Sequence, residues 1–209
     1  MDWVADFYER QHQWLRDYYL GDVIDQHRAQ AARIERLAGT PPKRVLELGA
    51  GGGQGAAAAA LGYDVTAVEL LPAAAAHARG PASQHRPGWL TIVEGDFYTV
   101  TLGGPFDVVC GFGIGTDADQ ARLLRRVAGW LAANGCALIE VFTPWYWANA
   151  AGREMRFGNL VRRYGFDADG AACSTAGGGS TTPATRWGSR SAAIPPPICD
   201  CCCATPVSR

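Results

Sequence analysis

The sequence predicts an α/β fold in which two helices precede a doubly wound parallel sheet. Three observations lead there. From Arg44 onward, short apolar runs alternate with helix-like stretches, the order that builds parallel sheets. The first run ends in a glycine-rich turn, Gly49-Ala50-Gly51-Gly52-Gly53-Gln54-Gly55, and passes into an alanine-rich segment suited to a helix. Finally, 209 residues with 48% hydrophobic and 19% charged content suffice for one sizeable core and exclude a chain disordered throughout.

The elements can be justified in order. Trp3, Phe7, Trp14 and Tyr18 recur at near-helical spacing, so residues 3–20 read as an amphipathic helix whose aromatics pack inward. A second helix is expected over 22–38. Asp22 can cap it, Ile24, His27, Ala31, Ile34 and Ala38 form its apolar stripe, Gly39 ends it and Pro41-Pro42 stops continuation. On that stripe His27 reads as a core histidine. Strands are expected at 44–48, 64–69, 90–94, 106–110 and 136–142, with helices at 54–61, 72–79 and 117–132 between them. Thr116 or Asp117 can cap the last helix, and Leu123, Leu124, Val127, Trp130 and Leu131 supply its buried face. Right-handed crossovers then wind the helices onto both sides of the sheet.

Composition narrows the partners. A net charge of −1 gives no electrostatic reason to expect nucleic acid. No run approaches the roughly 20 apolar residues of a membrane span, and Asp2, Asp6, Glu9 and Arg10 make the start too charged for a secretory signal. A cytoplasmic protein acting on a small molecule, with no membrane partner, is the expectation. Cys110 and Cys136 lie within apolar runs, where a free thiol behaves as a small hydrophobe.

The chemistry concentrates around the first strand. A buried strand that enters a glycine turn and then a helix lets the backbone approach a ligand closely and presents N–H groups to an anionic end. Alone the turn is ambiguous, because Gly51-Gly52-Gly53-Gln54-Gly55-Ala56 also satisfies the pattern of a dinucleotide-binding turn. A dinucleotide-binding turn would also want an acid at the end of the second strand, where Glu69 stands. Glu94-Gly95-Asp96-Phe97 follows the third strand.

Taken together, Glu47, Gly49, Gly51 and Gly53, then Glu69, then Asp96 and Phe97 resemble the class I S-adenosylmethionine-dependent methyltransferases, which have a Rossmann-like fold. The resemblance covers about residues 1–169. It implies S-adenosyl-L-methionine as cofactor, with Glu47, Gly49, Gly51 and Gly53 as motif I and Glu69, with Leu70 beside it, at the ribose. It also implies Asp96 at the exocyclic amine of adenine and Phe97 beside the ring. The segment after the fourth strand, Gly111-Phe112-Gly113-Ile114-Gly115-Thr116, lacks the acidic or aromatic-polar residue often seen there, and no residue is assigned as catalytic. Trp145-Tyr146-Trp147 could wall an acceptor pocket, although three consecutive aromatics cannot share one helix face. An NAD-dependent oxidoreductase and a non-catalytic cofactor-binding remnant stand as the alternatives.

The resulting division is an N-terminal helical cap over 1–40, the cofactor-binding domain over 41–169 and a low-complexity tail over 170–209. The tail contains Gly177-Gly178-Gly179, Pro195-Pro196-Pro197 and Cys199, Cys201, Cys202 and Cys203, with no apolar period, and is expected to be disordered. Read from the third nucleotide, permitted codons for residues 193–209 spell a leucine-rich peptide with a serine cap, a proline at the first helical position and a glycine stop. A reading-frame shift near 170–173 would therefore account for the tail, against a genuine disordered tail or a soft-metal site. On that view the closing C-terminal strands of the sheet are missing.

Overall fold

The computed structural model describes residues 5, 8–9, 24–51, 54–82, 88–114, 120–141, 144–157, 160–167, 172–179 and 187–192. The helix expected over 3–20 lies outside these except for Ala5, Tyr8 and Glu9, which are helical. Gly52, Gly53, the caps Thr116 and Asp117 and the tail cysteines Cys199 to Cys203 also lie outside them. The chain divides into two compact units, Met1–Val141 and Phe142–Arg209.

In the first unit, α1 (Ile24–Ala38) precedes β1 (Arg44–Leu48), α2 (Gln54–Ala60), β2 (Asp64–Glu69), α3 (Pro72–Ala82), β3 (Trp89–Glu94), β4 (Phe106–Ile114), α4 (Gln120–Trp130) and β5 (Leu131–Val141). All five strands are parallel, in the order β3-β2-β1-β4-β5. The chain thus reverses direction across the sheet between β1 and β4, the place where open α/β sheets bind ligands at their strand carboxyl ends.

β1 shows why the sheet has a helical layer on each side. Side chains alternate along a strand, and here both faces are apolar. Val45 packs with Ala31, Ile34, Ala57, Ala58 and Ala78 from α1, α2 and α3. Leu46 and Leu48 point the other way, toward Phe106 and the α4 residues Leu123, Val127 and Trp130. Leu46 and Val45 are fully buried, and each such side chain contributes roughly 1.5–3 kcal/mol by leaving water. The expected stripe of α4 holds at Leu123, Val127 and Trp130, whereas Leu124 is 58% exposed and Leu131 opens β5. The 3.6-residue period accounts for Leu124, which lies one step off the buried line. α2, with the sequence QGAAAAA, buries Gly55 to Ala59. Such small side chains let its axis lie close to the sheet.

The second unit contains α5 (Pro144–Ala150), followed by β6 (Glu154–Phe157), β7 (Leu160–Asp167), β8 (Ala172–Gly179) and β9 (Trp187–Ala192), an antiparallel sheet in sequential order. The division into compact units falls at 141/142, and segments 172–179 and 187–192 are strands. Main-chain hydrogen bonds explain this: β8 pairs along its whole length with β7, from Ala172↔Asp167 to Gly179↔Leu160, and such pairing requires no apolar alternation. No C-terminal strand extends the parallel sheet among the described residues; β6 to β9 pair with one another instead.

Candidate functional site

The carboxyl ends of β1, β2 and β3 are flush, because Leu48 is paired with Val68 and Glu69 with Glu94. Three turns therefore emerge side by side. After β1 the chain turns through Gly49 (φ 79°) and Gly51 (φ 39°), left-handed conformations that cost a residue with a Cβ about 1–2 kcal/mol. The amides of Gly49 and Ala50 both donate to the Val68 carbonyl, at 2.9 and 3.1 Å. The glycine turn is thus anchored on β2.

Glu69 is the hub of the three turns. Its Oε2 accepts from the Gly51 amide and its Oε1 from the Leu71 amide, both at 2.9 Å. Its own carbonyl accepts from the Gly95 amide at 2.8 Å. The residue is only 7% exposed, and each carboxylate oxygen retains a second lone pair. Leu70 beside it is half-buried.

Glu47 occupies a different environment. It is 2% exposed, beneath the start of α2, and neither carboxylate oxygen has a hydrogen-bond partner among the described residues. A Cβ added to Gly55 would lie 2.6 Å from Glu47 Oε2, so glycine leaves the space that the carboxyl fills. Desolvation pushes the Glu47 pKa up from 4.5 to about 8; the nearby Gly55 amide opposes the rise and the charge of Glu69 adds to it. At neutral pH Glu47 is a neutral acid. Cys110, paired across from it on β4, is a buried thiol whose pKa is also raised, by burial first and then by Glu47. The buried side-chain oxygen of Gln54, on the same α2 turn, is likewise unpartnered among the described residues.

After β3, Asp96 is half-buried and caps a short turn. Its Oδ1 accepts from the Tyr98 amide at 2.8 Å, and its carbonyl accepts from Thr99 at 2.9 Å and Val100 at 2.8 Å. Its Oδ2 has no hydrogen-bond partner among the described residues. Phe97 packs against the core cluster that includes Leu46 and Val68, with its ring 4.8 Å from that of Tyr98. A core contact thus accounts for part of its surface. The structure brings Glu47, Gly49, Gly51, Glu69, Leu70, Asp96 and Phe97 to one end of the sheet, while Gly53 lies outside the described residues. Trp145 and Tyr146 are exposed on α5, in the second unit.

Sequence reasoning missed two arginines. Arg126 Nε donates to the Phe97 carbonyl at 2.7 Å and Arg126 Nη2 to the Val100 carbonyl, while Arg122 Nη2 donates to the Tyr98 carbonyl at 3.0 Å. The only signal was their spacing of four residues on α4, which also describes any solvated helix face.

A family model described as a methyltransferase domain matches residues 45–135, from the first residues of β1 to the middle of β5. Residues 45–135 are thus similar to a methyltransferase domain. Solved structures share the fold of this domain and its surroundings. The CcbJ methyltransferase from Streptomyces caelestis is 21% identical, with 81% of this chain and 73% of that one covered and a TM-score of 0.62. An S-adenosylmethionine-dependent methyltransferase from Clostridium acetobutylicum is 12% identical over 91% and 80% of the two chains, with a TM-score of 0.59. A sugar N-methyltransferase from Streptoalloteichus is 21% identical over 91% and 78%, with a TM-score of 0.55. No curated protein sequence matches the chain. The matched segment contains Glu47, Gly49, Gly51, Gly53, Glu69, Leu70, Asp96 and Phe97, and no helix among the described residues is long and apolar enough to cross a membrane.

Proposed function

We propose that the chain is an S-adenosylmethionine-dependent methyltransferase that binds its cofactor across the carboxyl ends of β1, β2 and β3 and methylates a small molecule. One observation carries the reading: at the flush carboxyl ends of β1, β2 and β3, Glu69 ties the left-handed glycine turn, its own turn and the turn after β3 together. The donor set fits the group. Glu69 has spare lone pairs for ribose hydroxyls, with Leu70 adjoining, and Asp96 has a free Oδ2 for an exocyclic amine. Glu47 and Gln54 are buried polar groups that lack partners among the described residues, next to the turn through Gly49 and Gly51, and Gly53 completes the glycine motif in sequence. Phe97 follows Asp96 directly in the chain and is only partly taken up by its core contact. The sugar N-methyltransferase among the structural relatives supports a small-molecule acceptor.

Bound S-adenosylmethionine supplies an activated methyl group on a sulfonium. The protein's task is then to hold donor and acceptor in line and to exclude water. Glu69 fixes the turn on which the cofactor would rest, and Glu47, as a neutral acid, could both donate and accept a hydrogen bond there without placing a full charge in the core. Asp96, held by the Tyr98 amide, presents its second oxygen in a fixed direction.

Calorimetric titration with S-adenosylhomocysteine tests the proposal, with NADH as the control ligand. The expected result is saturable binding of S-adenosylhomocysteine, no heat with NADH, and at least about tenfold weaker binding by Glu69→Gln, which keeps the size but loses the charge-assisted bonds. Binding of NADH without S-adenosylhomocysteine would overturn it. Cofactor binding with no transfer to any acceptor in a panel of small amines and alcohols would identify a non-catalytic remnant.

A further inference from the structure

The turn after β3 is short, and its carbonyls point away from the helical hydrogen bonds that a longer element would provide. α4 supplies the donors instead. Arg126 reaches two of these carbonyls, Phe97 and Val100, with one guanidinium, and Arg122, one helical turn earlier, reaches the third at Tyr98. Each guanidinium is also stacked: Arg126 lies 4.6 Å from the centroid of the Trp130 ring, and Arg122 lies 5.4 Å from that of Tyr98. Arg126 is half-buried, so its fork is shielded from water and constrained by Trp130 on one side.

Asp96 sits at the other end of this turn. Its Oδ1 is committed to the Tyr98 amide, so the direction of the free Oδ2 follows wherever the peptide of Tyr98 is held. Phe97 and Tyr98 are two of the three residues whose carbonyls the arginines grip. Resting on the cofactor reading above, we propose that Arg126, assisted by Arg122, is a positioning residue that aims Asp96 and thereby sets selectivity for a purine bearing an exocyclic amine. A lysine in place of Arg126 retains the charge and loses both the planar fork and the stack.

The test compares the affinity of the full-length protein for S-adenosylhomocysteine with that for S-inosylhomocysteine, in which a carbonyl oxygen replaces the exocyclic amine. Wild type is expected to favour the adenosyl compound by about 10- to 100-fold, the worth of one hydrogen bond to a charged acceptor. Arg126→Lys is expected to reduce that preference to within about threefold while affinity for the inosyl compound stays within about twofold. A general loss of stability would weaken both ligands alike, and that result overturns the inference, as does an unchanged ratio. If Arg126→Lys fails to fold by thermal melt, Arg122→Gln decides: a reduced ratio supports the clamp and an unchanged one overturns it. Equal binding of both ligands to wild type sinks the inference but leaves the methyl-donor reading standing, whereas binding of neither removes both.

Discussion

A single buried carboxyl gives the protein a measurable pH dependence. The pKa of Glu47 in the folded chain is raised from 4.5 to about 8, so between those values the folded state holds a proton that the unfolded state has released. The contribution to stability is therefore full below about pH 4.5 and is lost as pH rises through about 8. The local slope is at most about 1.4 kcal/mol per pH unit. Glu47→Gln is expected to flatten that slope, so that the variant gains on wild type in urea melts at pH 8 and not at pH 4.5; parallel curves at the two pH values would contradict it. Gly55→Ala tests the same packing from above, since the new methyl would lie 2.6 Å from Glu47 Oε2 and 3.2 Å from Leu90 Cδ1. A loss of about 1–3 kcal/mol is expected, smaller when combined with Glu47→Ala, which vacates the space. Of these facts, the sequence disclosed that an acid sits at the end of an apolar strand. It could not disclose that this acid lacks a partner among the described residues, because satisfaction of a buried group depends on the neighbours that folding brings to it.

Among the elements, β1 and its turn follow most directly from their residues. Val45 and Leu46 are apolar on both faces of a strand, Gly49 takes a φ of 79°, and both properties are written locally. Gly49→Ala meets no atom within 4 Å, so its cost is the left-handed backbone alone. The expected loss is about 1–2 kcal/mol, read from the denaturation midpoint; Gly49→Asn should lose less, because asparagine tolerates that conformation. β1 and β2 have the bounds that their apolar runs indicate, 44–48 and 64–69. β5 begins at Leu131, five residues earlier than its apolar run, because Ala132, Ala133, Asn134 and Gly135 carry no strand signal of their own. The arginine grip on the turn after β3 was illegible for a related reason: Arg122 and Arg126 bond to main-chain carbonyls, which have no sequence signature.

At the scale of the molecule, the parallel sheet places its shortest strand, β1, between β2 and β4, with a helical layer on both faces. Amide exchange followed by mass spectrometry should find Val45 to Leu48 the slowest segment of the chain, and β9, an edge strand, among the fastest of the described strands. Equal protection of both would be inconsistent with this architecture. The alternation of strand and helix made the first unit readable, since each piece announces itself by period. The second was not, because Gly177, Gly178 and Gly179 in β8 have no side chains to report which face they occupy. One consequence concerns mapping by mutagenesis. α2 is built of one glutamine, one glycine and five alanines, so truncating side chains one at a time across the protein removes almost nothing along that helix. Its contribution will become visible only to substitutions that add bulk.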